Sequence, residues 1–502
     1  MNLRHVLPFA VLILLGACDK QEEPIGNEPI VNEDPATFKE IGTLDIGDVG
    51  AAEISAYDPN TKRLFVVNNG GSNRIDVIDM SDPSQLKVIH TIPTNSGAVN
   101  SVSVSNGLLA AAIESTNKQQ AGKVIVYKTD TYAEVKTVQT GALPDMVTFS
   151  PDGNLILTAN EGEPSSDYSN DPVGSVSIIN VKENYQVVNV DFSSFEPQRE
   201  ALQQKGLRIF GPKASLATDI EPEYVTISPD SKTAWVTLQE NNAIAKIDLT
   251  TKKATDIFPL GFKDYSLQAN AVDLSDKDEA VSFKTWPVKG IYMPDAIAVL
   301  QNGGNPYLFT VNEGDAREYD AFKEAVRVKD LDLDPTVFTN AAELQKDNQI
   351  GRLNVTRTLG DNNNDGLFEA LYSFGARSFS VWNGLNGELV YDSKNELDMR
   401  VQAAGYYDDA RSDDKSIEPE GIAIGKIGDR HIAFIGMERV DAVAVYDVSD
   451  PRAPRFLQLL KTGDAPEGVL FVSAENSPTK KSLLIVSSEE DGVLKVYTPN
   501  TI

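Results

Sequence analysis

The chain has 502 residues, 45 Lys+Arg against 74 Asp+Glu for a formal charge of -29, with 41% hydrophobic and 8% aromatic residues, too apolar for a disordered protein and long enough for one large repeat domain or several ordinary ones. The acid excess, with no cluster of Lys and Arg, excludes nucleic-acid binding, which needs basic side chains to neutralise phosphates. With three histidines (His5, His90, His431) and one cysteine (Cys18), a disulfide scaffold and a Cys-based zinc site are excluded, a Ser-His-Asp triad could use only His90 or His431, and any metal must be held mainly by oxygen, which points to calcium or magnesium.

Residues 2–18 read NLRHVLPFAVLILLGAC, a short basic start followed by an apolar run that ends in small residues. The run is shorter than the about 20 residues a spanning helix needs and has the form of a cleaved signal. Leu15-Gly16-Ala17-Cys18 is similar to a bacterial lipobox, which predicts a signal peptide over 1–17 and a lipidated Cys18 as the first mature residue. Residues 18–37 are polar, acidic and proline-containing, as expected of a flexible tether, and a folded domain is expected over 38–502. The expected address is the bacterial envelope, lipid-anchored on a periplasmic or outer-membrane surface.

Self-similarity organises the rest of the chain. An apolar or acidic residue, Pro, an acid and an alternating strand recur at Leu143-Pro144-Asp145, Glu221-Pro222-Glu223, Met293-Pro294-Asp295, Glu418-Pro419-Glu420 and Ala465-Pro466-Glu467, and the alternation without Pro occurs at 52–56 and 99–103. Each copy is followed by a second apolar strand, such as RLFVVNN (63–69) or NLILTANEG (154–162), then by a third, such as RIDVIDM (74–80) or AVAVYDV (442–448). Fourth strands follow all copies but the last, where the chain stops, and FKEIGTLDIG (38–47) is left over to complete it. Seven such quartets predict an all-β, seven-bladed β-propeller whose N- and C-terminal strands share the last blade. The competing architecture, a pair of β-sandwiches, does not repeat one quartet. Partly helical insertions are expected near 194–220, 262–290 and 315–377, with helical stretches at 197–205 and 335–346.

A propeller brings the start of each innermost strand and the end of each second strand to one face. Asp145, Glu223, Asp295, Glu420 and Glu467 are therefore expected at the mouth of the central channel, with Glu114, Glu161, Glu240, Glu313, Glu438 and Glu490 beside them. Crowded carboxylates repel unless cations join them, so the funnel is a candidate calcium site, the alternative being turn acids that simply face water. In the fifth-blade insertion, Asp361-Asn362-Asn363-Asn364-Asp365-Gly366 matches the first half of an EF-hand loop, with Asp361, Asn363 and Asp365 as oxygen ligands. Its twelfth position is Tyr372, so Glu369 is the candidate closing ligand, against a metal-free hydrophilic turn as the alternative. Arg317, Arg377, Arg411, Lys415 and Arg439 enter the same loops, either as salt-bridge partners or as oxyanion-binding groups. No Gly-rich phosphate loop or nucleophile elbow occurs.

The segments LPDMVTFSPDGNLILTANEGEPSSDY (143–168), RIFGPKASLATDIEPEYVTISPD (208–230), VNEGDAREYDAF (311–322), GDNNNDGLFEALYSFGARSFSVWN (360–383), RSDDKSIEPEG (411–421) and VSSEEDGVLKVY (486–497) together resemble the choice-of-anchor I family. The resemblance spans nearly the whole predicted propeller and implies a secreted β-propeller, with the lipobox as its anchor. Some relatives resemble phosphatase or phytase-type propellers, or are joined to phosphoesterase domains, but the resemblance brings no catalytic residue set. The loop at 361–366 is richer in Asn than its Asp-rich counterpart in the family, which lowers its ligand charge. The expected function is an envelope-anchored propeller binding an anionic small molecule, glycan or protein at a calcium-loaded funnel. The alternative is calcium-dependent phosphoester hydrolysis, with Glu161, Glu313, Arg317, Arg377 and Arg439 as candidate catalytic groups.

Overall fold

A computed structural model describes residues 32–94 and 97–502. Seven four-stranded antiparallel sheets, here blades 1 to 7, begin with the strands Ala51–Asp58, Val99–Ser105, Pro144–Phe149, Pro222–Ile227, Ile297–Asn302, Pro419–Ile427 and Pro466–Val472. These first strands contact one another in turn, and that of blade 7 contacts that of blade 1, so the ring closes as a β-propeller. The second strands lie between the first and third of each blade and are buried on both faces, so LLAAAI is an unbroken apolar run and LILTAN buries even Thr158 and Asn160. Outermost strands such as Lys87–Pro93 face water almost throughout.

Blade 7 takes its fourth strand from the N-terminal side: Glu33–Asp45 pairs antiparallel with Val493–Thr501. Phe38 on this strand is buried and meets Phe434 edge-on, with ring centroids 5.2 Å apart. Glu33 accepts hydrogen bonds from the Ser482 main chain and hydroxyl at 2.8 and 2.6 Å. The ordered strand thus starts at Glu33, inside the segment that composition assigned to the tether, because strand pairing outweighs the polar character of residues 33–37.

The insertions expected near 262–290 and 315–377 fold together. Phe262–Asp264, Lys289–Ile291, Tyr372–Ser373, Asn354–Thr356 and Ala325–Arg327 form a five-stranded sheet with its own core, which includes Tyr265, Trp286, Val328 and Leu353. The stretch expected as helix at 197–205 is a 3-10 turn, Ser193–Gln198, running into a short helix, Arg199–Gln203. That expected at 335–346 is helical only over Ala341–Leu344. A helix absent from the sequence reading, Glu396–Ala404, buries Leu397 and Val401 one turn apart and ends at Gly405, whose φ of 78° supplies the left-handed stop. Among the described residues no helix is long and apolar enough to cross a membrane.

Candidate functional site

Strand register decides which side chains meet at the channel mouth. Pro144 pairs with Asn160, Pro222 with Leu238, Pro419 with Met437 and Pro466 with Ser488. The next residue on each first strand is the motif acid, and the next on each second strand is Glu161, Gln239, Glu438 or Glu489. In blades 1 and 2, where Ala51 pairs with Asn68 and Val99 with Ile113, the equivalents are Asn69 and Glu114. Gln239 and Glu489 occupy the register position, with Glu240 and Glu490 one residue beyond it; Glu240 still acts on Glu161 and Glu223, and Glu490 on Glu489. The residues before four of the motif prolines, Leu143, Met293, Glu418 and Ala465, have φ between 46 and 56°, a turn that delivers the acid to the mouth at a cost in backbone strain.

Asp145, Glu223, Asp295, Glu420 and Glu467 all line one central cavity of about 500 Å³, which Gln239, Glu313 and Asp315 also line. Burial, reinforced by neighbouring carboxylates, pushes Glu161, Glu223, Asp295, Glu420 and Glu467 well above the usual carboxylate range. Asp145 rises to about 7 by burial and the nearby Glu163. Glu53 rises to about 8 by burial, although Asn69 donates to both of its oxygens at 3.1 and 2.9 Å. Buried oxygens of Glu240, Glu420 and Glu467 have no hydrogen-bond partner.

Two arcs of the mouth gather three carboxylates each, with oxygens within 4.8 Å of one another: Asp145, Glu161 and Glu223 on blades 3 and 4, and Glu313, Glu418 and Glu438 on blades 5 and 6. They differ in charge compensation. Lys415 Nζ lies 2.6 Å from Glu313 and 3.0 Å from Glu418, Arg411 also pairs with Glu418, and Arg439 reaches Glu418 at 3.3 Å and Glu438 at 2.8 Å. Burial would raise Glu418, yet Lys415, Arg411 and Arg439 together hold it below its ordinary value. In the first arc the main influences on Glu161 and Glu223 are burial and other carboxylates, all of one sign. The basic side chain that acts on Asp145 is Lys118, itself half exposed and 3.8 Å from Glu114.

Two candidate arginines do not face the mouth. Arg317 is 3% exposed and donates to Glu221 at 3.0 Å and to the Asp219 carboxylate and carbonyl at 2.8 and 2.6 Å. Arg377, 2% exposed, donates to the main-chain carbonyls of Asp273, Ser412 and Asp414. Both hold insertion loops to one another. Their partners lie on distant segments, so nothing local in the sequence marks the role. Arg208 is equally buried, paired with Glu324, and stacks on the Phe210 ring that Arg317 also contacts.

The 361–369 loop brings Asp361, Asp365 and Glu369 within the same 4.8 Å limit. The Gly366 and Asp365 main chains donate to Asp361 at 3.0 and 3.2 Å, Asn362 donates to Glu369 at 2.7 Å, and the Asn363 amide bridges Asp365 and Glu369, each at 3.1 Å. A further cluster that the sequence did not reveal, Asp273, Asp278 and Asp409, joins the 262–290 insertion to the 405–418 loop. Cys18 and the tether up to residue 31 lie outside the described residues.

A closed ring of four-stranded blades with a polyanionic channel entrance defines an acidic-mouthed β-propeller. The chain belongs to the choice-of-anchor I family, whose Choice-of-anchor I domain matches residues 53–451. It is 24% identical over 345 residues to a mesenchyme-specific cell surface glycoprotein of Strongylocentrotus purpuratus, covering 57% of this chain and 44% of that one. It is 27% identical over 188 residues to Gigasin-3a of Magallana gigas, covering 31% of this chain and 66% of that one. The chain thus spans less than half the length of the first of these relatives and about two thirds of the second. Among solved structures, Kuenenia stuttgartiensis hydrazine synthase matches with a TM-score of 0.50 at 12% identity, covering 91% of this chain and 98% of that one, a likeness of fold alone.

Proposed function

We propose that this chain is a lipid-anchored envelope protein whose propeller holds calcium at the channel mouth and through it binds an anionic ligand or surface partner. The supporting observation is the imbalance between the two arcs: Asp145, Glu161 and Glu223 converge as a cation site does, without the basic groups that neutralise Glu313, Glu418 and Glu438. Gathering such carboxylates away from bulk water is costly unless a cation joins them. An all-oxygen donor set suits calcium, which takes about 6–8 oxygens, so that three carboxylates leave positions for water and for the oxygens of an anionic ligand. Asp361, Asp365 and Glu369 form a second calcium loop on the same reading. Surface location is supported by the family and by the printed name of the sea-urchin relative, and Cys18 provides the anchor.

Binding is favoured over phosphoester hydrolysis because, of the three candidate catalytic arginines, Arg317 and Arg377 are sealed in the protein and Arg439, 37% exposed, alone stands at the mouth. Calcium titration of chelator-treated protein by calorimetry, with Asp145→Asn/Glu223→Gln beside wild type, tests the site. The expected result is a binding event that the double variant loses, and no calcium uptake by wild type would overturn it. Phosphate release from a panel of phosphomonoesters and phytate in calcium separates the two readings: turnover that the double variant abolishes would replace the binding reading with the enzymatic one.

A further inference from the structure

Each carboxylate arc brings three oxygens within 4.8 Å of one another, but the second already contains a cation that belongs to the chain. Lys415 Nζ donates to Glu313 at 2.6 Å and to Asp315 at 3.2 Å, and forms an ion pair with Glu418 at 3.0 Å. Its side chain is 12% exposed, so the contacts to Glu313 and Glu418 are made largely out of water, whereas Asp315 lies on the solvent side. Burial alone would lower its affinity for the proton, and Glu313, Asp315 and Glu418 more than reverse that, so the amine stays charged.

The loop that carries Lys415 is fixed from behind. Arg377 donates to the carbonyls of Ser412 and Asp414 at 2.8 and 2.7 Å. Asp413 is held by Arg327 at 2.7 Å and Arg352 at 3.2 Å, and Asp414 by the Asn354 amide at 3.0 Å. Ser416, next to the lysine, turns with a φ of 63° and closes a main-chain bond to Arg411 at 3.1 Å. A lysine on an unconstrained loop would surrender much side-chain entropy to hold three carboxylates. Here the main chain has been ordered by other contacts, and the ammonium is delivered as a compact point charge to the place a metal would take.

The geometry points to Lys415 as a tethered resident cation that occupies the blade 5–6 arc and so confines metal at the mouth to the Asp145 arc. This deepens the proposed function and rests on its reading that the Asp145 arc takes calcium. Lys415 acts as a positioning residue, setting how many divalent ions the mouth admits and where.

The test is an ion count. Chelator-treated full-length protein is titrated with calcium, and bound ions are counted by native mass spectrometry and calorimetry in wild type, Lys415→Gln, Lys415→Arg, Glu438→Gln and Asp145→Asn. Lys415→Gln is expected to bind one calcium more than wild type and to gain a larger calcium-dependent rise in melting temperature. Lys415→Arg, which keeps a cation in the arc, should match wild type. Should Lys415→Gln fail to fold without calcium, refolding in calcium with the extra ion bound supports the inference equally. Glu438→Gln keeps the lysine and should leave the ion count unchanged, whereas loss of an ion there would mean that metal already occupies this arc and would overturn the inference. An unchanged count in Lys415→Gln, folded by circular dichroism, would also overturn it, as would a variant that folds neither with nor without calcium. Failure of the underlying reading shows separately: Asp145→Asn would then lose no ion, while the gain in Lys415→Gln is still counted.

Discussion

Glu53 shows what a crowded mouth does to one side chain. Burial, with Glu489, Asp145 and Glu114 adding to it, lifts this carboxyl from 4.5 to about 8. A folded chain then keeps a proton that the unfolded chain releases, so stability from this group is full below the unfolded value and falls as pH rises towards the folded one. In chelator, unfolding by urea should show stability declining between pH 4.5 and about 8. Glu53→Gln, permanently neutral and still able to accept from Asn69, should make that decline shallower by its own share, the rest belonging to other raised carboxyls such as Asp145. An equally steep profile in the variant would show that Glu53 is not its source.

Buried ion pairs give residue-scale predictions of larger size. Arg317→Ala leaves Asp219 and Glu221 buried without their partner, and such a loss costs about 3–5 kcal/mol. Denaturant unfolding should show a loss of that order, and Arg317→Lys should recover only part of it because an ammonium cannot reproduce the forked contact. At the loop, Asp361→Ala with Asp365→Ala should remove one calcium-dependent increment of stability, about 2.7 kcal/mol when calcium exceeds its Kd about 100-fold. A thermal shift unchanged by the double substitution would exclude the loop as a calcium site.

At the scale of elements, the ring depends on the closing strand Glu33–Asp45, which the sequence reading places in blade 7 from residue 38 on and whose first five residues it assigns to the tether. Phe38 packs on Phe434 across the seam of blades 6 and 7, and Phe38→Ala should cost about 3–5 kcal/mol, measured by chemical unfolding. A loss under 1 kcal/mol would mean the seam tolerates an unfilled site there. The strands themselves were legible because each blade repeats one pattern: alternation on the first strand, a continuous apolar run on the second. The mouth was legible as far as that alternation persists. A register irregularity follows the strand start in blades 1, 2, 3, 4, 6 and 7 alike. In blades 4 and 7 the second strand ends in Gln239-Glu240 and Glu489-Glu490, two candidates for one position, and only the pairing of Pro222 with Leu238 and of Pro466 with Ser488 selects the first of each. The roles of Arg317, Arg377 and Lys415 were illegible for another reason: their partners lie on other insertions, and no periodicity connects them.

For the whole molecule, anchoring through Cys18 predicts that Cys18→Ala releases the protein from envelope membranes into the soluble fraction. A variant that still sediments with membranes after a high-salt wash would refute the anchor. The direction of that anchorage follows from the closing strand. Glu33 pairs with Thr501, whereas Asp45 pairs with Val493 beside the mouth, so the chain enters blade 7 on the side of the ring away from the acidic entrance. A molecule anchored through its N-terminal chain would be held from the face opposite its carboxylates. Any pull transmitted along that chain draws the strand lengthwise against Val493–Thr501, loading the ladder's hydrogen bonds in shear all at once instead of peeling them singly. The seam that makes the ring is thus also the place where any such load enters it.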